Sequence, residues 1–205
     1  MSSAARPTTW LVTGANRGID LELVKQLLDT PSNLVVATCR NPDKATALSD
    51  LKTSAKGTLR IIRLDVADFV NVRASAKEVE TILGDIGLDY LVNNAGIVAW
   101  DSVFDMDAEK LLDVLRTNTV GSALISQVYL PLLEMGREKI LRISSTAGSI
   151  GEFEGLISEK HRKLGAYALS KIALNMLACK QKAARPDLIV VVLCPGWVKT
   201  GEHSI

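Results

Sequence analysis

A tyrosine and a lysine stand four residues apart in the segment Tyr167-Ala168-Leu169-Ser170-Lys171. On a helix this spacing places both side chains on one face, as neighbours. An ammonium beside a phenol favours the phenolate, so we expect Lys171 to lower the pKa of Tyr167 toward neutral and make it a proton donor or acceptor. Because such a pair also arises by chance on many helices, it indicates a reactive site only if other polar groups meet it.

Two other polar positions could complete such a site. Ser144 and Ser145 follow an apolar run, and a serine hydroxyl can hold a substrate carbonyl oxygen in line with the tyrosine. Asn118 lies midway along a long helical pattern, in an apolar setting. It is either a core side chain with satisfied hydrogen bonds or a functional group that holds a water behind Lys171.

A glycine-rich loop at residues 13–18 follows the first apolar run of the chain. Its glycines let the backbone approach a pyrophosphate, and the helix that follows offers free N–H groups. The position where a third glycine is expected holds Asp20 instead. At ~5 Å and an effective dielectric of ~20, its carboxylate would repel a phosphate by roughly 3 kcal/mol. Alternatively, the side chain of Asp20 turns outward and costs little.

The second apolar run ends at Arg40, where a site selective for NAD usually has an acid that binds the ribose 2′-hydroxyl. Arg40 and Arg17, in the neighbouring loop, would instead suit a 2′-phosphate. The missing acid favours NADP(H) over NAD(H), although both arginines could also be ordinary solvated side chains.

Six apolar runs alternate with amphipathic segments along the chain, and we interpret the runs as strands at residues 10–12, 33–39, 59–64, 88–92, 139–143 and 188–194. Strands that alternate with helices form a parallel sheet covered on both faces. We therefore predict one α/β domain over residues 1–205, a Rossmann-like, doubly wound αβα sandwich that carries both a cofactor site and a catalytic site. Small or polar residues follow every predicted strand, at the sheet edge where ligands bind.

Composition excludes several classes of function. The 205 residues include 24 Lys and Arg against 23 Asp and Glu, so no basic excess supports nucleic-acid binding. The two histidines and three cysteines form no zinc or disulfide pattern, and we expect the cysteines to be buried thiols in a reducing compartment. With neither a signal peptide nor an apolar run of membrane-spanning length, we expect a cytoplasmic protein without a membrane partner.

From residue 9 to about residue 200, the chain resembles the short-chain dehydrogenase/reductase family, and within it the carbonyl-reductase-like members. The resemblance rests on the order and spacing of several motifs: Thr13-Gly14-x-x-x-Gly18, Asp65-Val66, Asn93-Asn94-Ala95-Gly96, Asn118, Ser144-Ser145, Tyr167-x-x-x-Lys171 and Pro195-Gly196-x-Val198-x-Thr200.

The resemblance implies a role for each matching residue. Tyr167 would be the general acid in reduction, Lys171 would bind the nicotinamide ribose, Ser145 would orient the carbonyl and Asn118 would support a proton-relay water. The predicted cofactor-binding residues are Gly14, Asn16, Arg17, Gly18, Ile19, Arg40, Asp65, Val66, Asn93, Ala95, Gly96, Tyr167, Lys171, Pro195, Gly196, Val198 and Thr200. A homodimer or homotetramer through the helical segments 107–133 and 164–184 is also implied.

The sequence departs from this family at Asp20 and at its end, where the family continues with a lid and a seventh strand. We therefore expect a sheet without its last strand, an exposed sheet edge and an open site. The leading hypothesis is an NADPH-dependent carbonyl reductase that interconverts a ketone or aldehyde and an alcohol. The alternative is a catalytically impaired relative with weak cofactor binding that acts through binding or subunit association.

Overall fold

A computed structural model describes residues 6–152, 162–196 and 198 of the chain. Its six strands form one sheet in the order β3-β2-β1-β4-β5-β6, and every neighbouring pair is parallel. The strands are β1 (Thr8–Thr13), β2 (Asn33–Cys39), β3 (Thr58–Arg63), β4 (Tyr90–Asn93), β5 (Lys139–Ile143) and β6 (Ile189–Leu193). The predicted Rossmann-like sandwich is confirmed, and each predicted strand lies within about two residues of an observed one.

Helices cover the sheet between these strands. They are α1 (Gly18–Leu28), α2 (Thr46–Ser54), α3 (Phe69–Leu83), α4 (Ala108–Leu115), α5 (Ser122–Val128), α6 (Leu130–Met135) and α7 (Gly165–Ala184). Short 3₁₀ turns lie at Pro42–Lys44, Gly84–Ile86 and Thr146–Gly148.

Two apolar clusters hold the layers together. One packs α3, α5 and α6 against the sheet and includes Leu11, Leu91 and Tyr129, all fully buried. The other packs α1 and α2 and includes Val24 and Leu48. Because the inner strands are covered on both sides, β2 is buried at six of its seven positions, as its unbroken apolar run predicts.

The prediction of one continuous helix over residues 107–133 is wrong. A π-helical segment, Arg116–Gly121, separates α4 from α5, and a second break at Tyr129 separates α5 from α6. Pro131 stands in the first turn of α6, where its missing N–H is tolerated. The π segment lies beside the sheet edge that carries the polar strand ends, and it positions Asn118.

β6 forms one edge of the described sheet. Its residues Ile189, Val191 and Leu193 are each nearly half exposed, so the exposed edge expected from the sequence is present among the described residues. Over the same residues, no helix combines the length and hydrophobicity that crossing a bilayer requires. The expectation of buried cysteines holds for Cys39 alone, because Cys179 and Cys194 are exposed.

Candidate active site

A cleft of about 560 Å³ opens at the carboxyl ends of the strands. It lies where β1 and β4 are neighbours and the strand order reverses, which is where ligands bind in open parallel sheets. Among the predicted site residues, the structure brings these to its wall: Gly14, Asn16, Arg17, Gly18, Ile19, Arg40, Asp65, Val66, Ala95, Gly96, Ser145, Tyr167, Lys171, Pro195, Gly196 and Val198. Asn93 and Asn118 do not line the cleft, and Thr200 is outside the described residues.

Tyr167 and Lys171 lie one turn apart near the start of α7, on the face toward the cleft. The Lys171 ammonium is 5.4 Å from the centroid of the Tyr167 ring. Its Nζ donates a hydrogen bond to the Ile143 carbonyl at 2.8 Å, at the end of β5. On the other side, the Tyr167 phenol is hydrogen-bonded to Ser145. A phenol, a hydroxyl and an ammonium therefore meet at one point of the wall.

The expected effect of Lys171 on Tyr167 is wrong. The pKa of Tyr167 is raised from its ordinary value of 10.0, because burial disfavours the phenolate, while the Ser145 hydrogen bond acts in the opposite direction. Lys171 is itself buried, which lowers its pKa to about 8. In this arrangement Tyr167 is a protonated acid at neutral pH, and Lys171 still carries its charge.

The two adjacent serines point to different places. Ser144 is buried, and its hydroxyl donates to Asn175 Oδ1 at 2.7 Å. Ser145 begins the 3₁₀ turn Thr146–Gly148, where its Oγ accepts from the Ala147 amide at 3.2 Å. Both serines line the cleft, but it is the Ser145 hydroxyl that is bonded to Tyr167, while the Ser144 hydroxyl ties β5 to α7.

Asn118 has a satisfied, structural environment. Its Oδ1 accepts from the Ile97 amide at 2.8 Å, and its Nδ2 donates to the Ile97 carbonyl at 2.9 Å and to Ser170 Oγ at 3.0 Å. These bonds tie the π segment to the chain after β4 and to α7. These bonds agree with the structural reading of the side chain, and the role of Asn118 in supporting a proton-relay water stays a prediction.

The loop after β1 fits a bound phosphate. Gly14 has a φ of 76°, and a Cβ there would lie 3.1 Å from Ala95 Cα, so the backbone passes closer than a side chain would allow. Gly18, with a φ of 59°, opens α1, and no side chain caps this helix start. The first amides of α1 are therefore available to an anion at the cleft.

Asp20 turns inward rather than outward. It is only 1% exposed, and it accepts a hydrogen bond from Asn94 Nδ2, in the chain that follows β4. Burial raises the pKa of Asp20 to about 7, although the Asn94 bond and the charge of Lys171 both act to lower it. The residue lines the cleft at the first turn of α1, so the outward alternative raised by the sequence is wrong.

Asn93, predicted to bind the cofactor, does not line the cleft, whereas its neighbour Asn94 does. Asn93 is the last residue of β4, and its Nδ2 donates to Ser126 Oγ at 3.4 Å under α5. Asn94 follows the end of β4. The sequence pattern alone does not show which of the two asparagines turns toward the cleft.

The remaining predicted groups lie along the rim. Asp65 follows β3, where its Oδ1 accepts from the Ala67 amide at 3.0 Å. Arg17 and Arg40 are exposed on the side of the cleft formed by α1 and β2. Cys194, which the sequence did not single out, lines the cleft after β6, and its charge would raise the pKa of both Tyr167 and Lys171.

Comparisons with known proteins agree with this geometry. The sequence profile of the short chain dehydrogenase family matches residues 8–204. The norsolorinic acid ketoreductase of Dothistroma septosporum is 31% identical in an alignment 201 residues long, which covers 96% of this chain and 74% of that protein. A short-chain dehydrogenase of Penicillium roqueforti is 31% identical in an alignment 209 residues long, which covers 98% of this chain and 82% of the other.

Two solved structures are similar over nearly the whole chain. One is the NADPH-bound carbonyl reductase from chicken fatty liver, with a TM-score of 0.86 and 35% identity over 96% of this chain and 78% of that one. The other is the carbonyl reductase Sniffer of D. melanogaster, with a TM-score of 0.84 and 34% identity over 96% of this chain and 84% of that one.

Proposed function

The chain belongs to the short-chain dehydrogenase family, and we propose that it is an NADPH-dependent carbonyl reductase that interconverts a ketone or aldehyde and an alcohol. The observation that carries this proposal is the meeting of Ser145, Tyr167 and Lys171 on one cleft wall. Both solved relatives described above are carbonyl reductases, which favours a carbonyl as the substrate group.

Tyr167 acts as the general acid in reduction. Its raised pKa keeps the phenol protonated at neutral pH, so a proton is available for the carbonyl oxygen of the substrate. Ser145, hydrogen-bonded to this phenol, places a second donor at the same oxygen. The Lys171 ammonium beside the ring stabilises the negative charge that forms on Tyr167 as the proton leaves.

A nicotinamide bound in the cleft would supply a hydride for the carbonyl carbon. Gly14, Gly18 and the first amides of α1 would hold its phosphates, because no side chain caps this helix start. Arg17 and Arg40, which line the cleft, would hold the 2′-phosphate that distinguishes NADPH from NADH. The other cofactor contacts proposed are Asn16, Ile19, Asp65, Val66, Ala95, Gly96, Tyr167, Lys171, Pro195, Gly196 and Val198.

The test is the oxidation of NADPH in the presence of a panel of ketones and aldehydes, compared with the Tyr167→Phe variant. We expect Tyr167→Phe to lose about 10²- to 10⁴-fold in turnover while it still binds NADPH. Equal turnover in the two proteins would remove Tyr167 from the mechanism. Intact NADPH binding without turnover of any carbonyl would favour the binding role over the enzyme.

The subunits associate through the faces of α4, α5 and α7. Large apolar side chains are about half exposed there, namely Leu112 on α4 and Leu169 and Met176 on α7. Exposed apolar surface of this kind is typical of subunit interfaces. Analytical ultracentrifugation tests the proposal, with a dimer or tetramer as the expected result and a monomer at micromolar concentration as the contradicting one.

A further inference from the structure

The carboxyl group of Asp20 is buried without full hydrogen bonding. Its side chain is 1% exposed, and Asn94 is the donor to its Oδ2. The other oxygen, Oδ1, has no hydrogen-bond partner in the part of the chain that the structure describes. A buried carboxylate with one unsatisfied oxygen is costly, whereas a carboxylic acid in the same place has a proton to donate.

This group lies where phosphates would bind. Asp20 is in the first turn of α1, two residues after Gly18, and it lines the cleft. A second negative charge at the same helix start would repel a bound phosphate, and both would have to share the few free amides. A neutral carboxyl removes this repulsion and adds a donor.

The charged and titratable groups around Asp20 come from several elements. Lys171 from α7 acts on it directly, and beside Lys171 are Tyr167 and, after β6, Cys194. Arg17 immediately precedes the same helix. From the chain after β4 it meets only the neutral amide of Asn94 among the described residues. Lys171 does not fully compensate the carboxylate, because burial still raises the pKa of Asp20 to about 7.

We propose that Asp20 is a positioning residue that enters the dinucleotide complex as a neutral carboxylic acid, so that binding takes up one proton at pH values where the free protein is ionised. This inference rests on the proposed function, because it presumes that NADPH is the ligand of the cleft. The proton comes from the buffer, and no bond other than the O–H bond of the carboxyl is formed.

The sign of the effect follows from linkage. Below pH 7 the carboxyl of the free protein is already protonated, so NADPH affinity does not depend on Asp20. Above pH 7 each further pH unit costs up to tenfold in affinity, because the carboxylate must be protonated first. With a pKa of about 7, the Kd for NADPH rises about tenfold between pH 6 and pH 8.

Titration calorimetry with NADPH measures the proton directly. At pH 8 the full chain is titrated in two buffers of different ionisation enthalpy, and the dependence of the heat on the buffer gives the number of protons taken up. We expect close to one proton at pH 8 and close to none from this group at pH 6. The wild-type measurement needs no variant, so it stands even if a substitution impairs folding.

Asp20→Asn keeps the shape of the side chain and a donor while removing the ionisation. We expect this variant to take up almost no proton at pH 8 and to bind NADPH about tenfold more tightly than the wild type there, with little difference at pH 6. Because this variant has no carboxyl at position 20, any pH dependence that it retains includes the titration of the 2′-phosphate of NADPH. The second pKa of such a phosphate ester is about 6. Asp113→Asn, an exposed carboxylate on the same cleft wall, is the matched control and should leave the proton uptake unchanged.

No proton uptake by the wild type at pH 8, or the same uptake in Asp20→Asn, would overturn the inference while the proposed function stands. If none of the folded proteins, judged by circular dichroism, binds NADPH at either pH, both the inference and the NADPH dependence fall. A Kd that rises with pH equally in Asp20→Asn and the wild type would assign the effect to Lys171 instead and would also overturn it.

Discussion

The Lys171 ammonium lies 5.4 Å from the centroid of the Tyr167 ring, and it donates a hydrogen bond to the Ile143 carbonyl at 2.8 Å. The lysine is thus held by the end of β5 rather than by the phenol it faces. Because its position does not depend on the state of Tyr167, it offers a fixed positive charge to the phenolate that forms during reduction. Lys171 carries this charge only at lower pH, because burial lowers its pKa to about 8.

The turnover number in reduction at saturating NADPH should therefore fall above about pH 8. Below this pH Lys171 is charged, and above it the charge is lost, whereas the raised pKa of Tyr167 keeps the phenol protonated throughout the range. A pH profile of kcat measures this decline. Lys171→Arg retains a charge at all these pH values, so its kcat should be lower but flat from pH 7 to pH 9. The same midpoint in both proteins would assign the decline to another group.

Replacement of the two adjacent serines should separate catalysis from stability. Ser145→Ala removes the hydroxyl bonded to Tyr167, which we expect to lower kcat/KM about 10²-fold and to raise the pKa of Tyr167 further. Ser144→Ala is the matched control, because its hydroxyl donates to Asn175 and does not reach the phenol. It should keep kcat/KM within about twofold and lose about 1 kcal/mol of unfolding free energy. Equal kinetic losses in the two variants would contradict these assignments.

Asn118→Ala should act mainly on stability. Three hydrogen bonds disappear, and the amide and carbonyl of Ile97 lose their partner, so we expect a loss of about 3 kcal/mol in the free energy of unfolding. Urea denaturation measures it. Asn71→Ala, which removes a single bond from its Oδ1 to the Asp65 amide, should cost only about 1 kcal/mol. If Asn118→Ala lost little stability but much of its turnover, the result would support a catalytic role for Asn118.

Arg40→Ala should reduce the preference for NADPH over NADH. Loss of a charge-assisted contact to the 2′-phosphate weakens NADPH binding roughly ten- to a hundredfold, while NADH, which lacks this phosphate, is little affected. Fluorescence titration with both nucleotides gives the ratio of the Kd values. Arg63→Ala removes an exposed arginine at the end of β3, outside the cleft lining, and should leave the ratio unchanged. An unchanged ratio in Arg40→Ala would show that the Arg40 side chain is exposed to solvent and does not contact the 2′-phosphate.

The sheet was predictable because each strand is a short apolar run that ends in small or polar residues. Buried parallel strands need no alternation, so the run at β2 marks its bounds directly. The breaks around α5 were not predictable from periodicity, because Leu111 to Leu133 keep a helical spacing through them. Close packing of Gly121 on Val66 and the bonds of Asn118 to Ile97 favour the π segment, and these contacts are between distant parts of the chain.

Much of the candidate site could be anticipated from spacing, since Tyr167, Lys171 and Ser145 follow elements whose ends meet at one edge. The environment of the site side chains was harder to predict than their position in the fold. The direction of the pKa shift of Tyr167 depends on how deeply the phenol is buried, which no local pattern reveals. In the same way, the inward turn of Asp20 depends on Asn94, a residue 74 positions away.

The π segment Arg116–Gly121 also fixes how α4 and α5 are rotated relative to each other. A π turn contains about one residue more than the α-helical turn it replaces. Removing a single residue here would restore ordinary winding and rotate α4 by about 100° about its axis. Val114, now 2% exposed, would then leave the core, so the residue count of this stretch determines which side of α4 faces the protein interior.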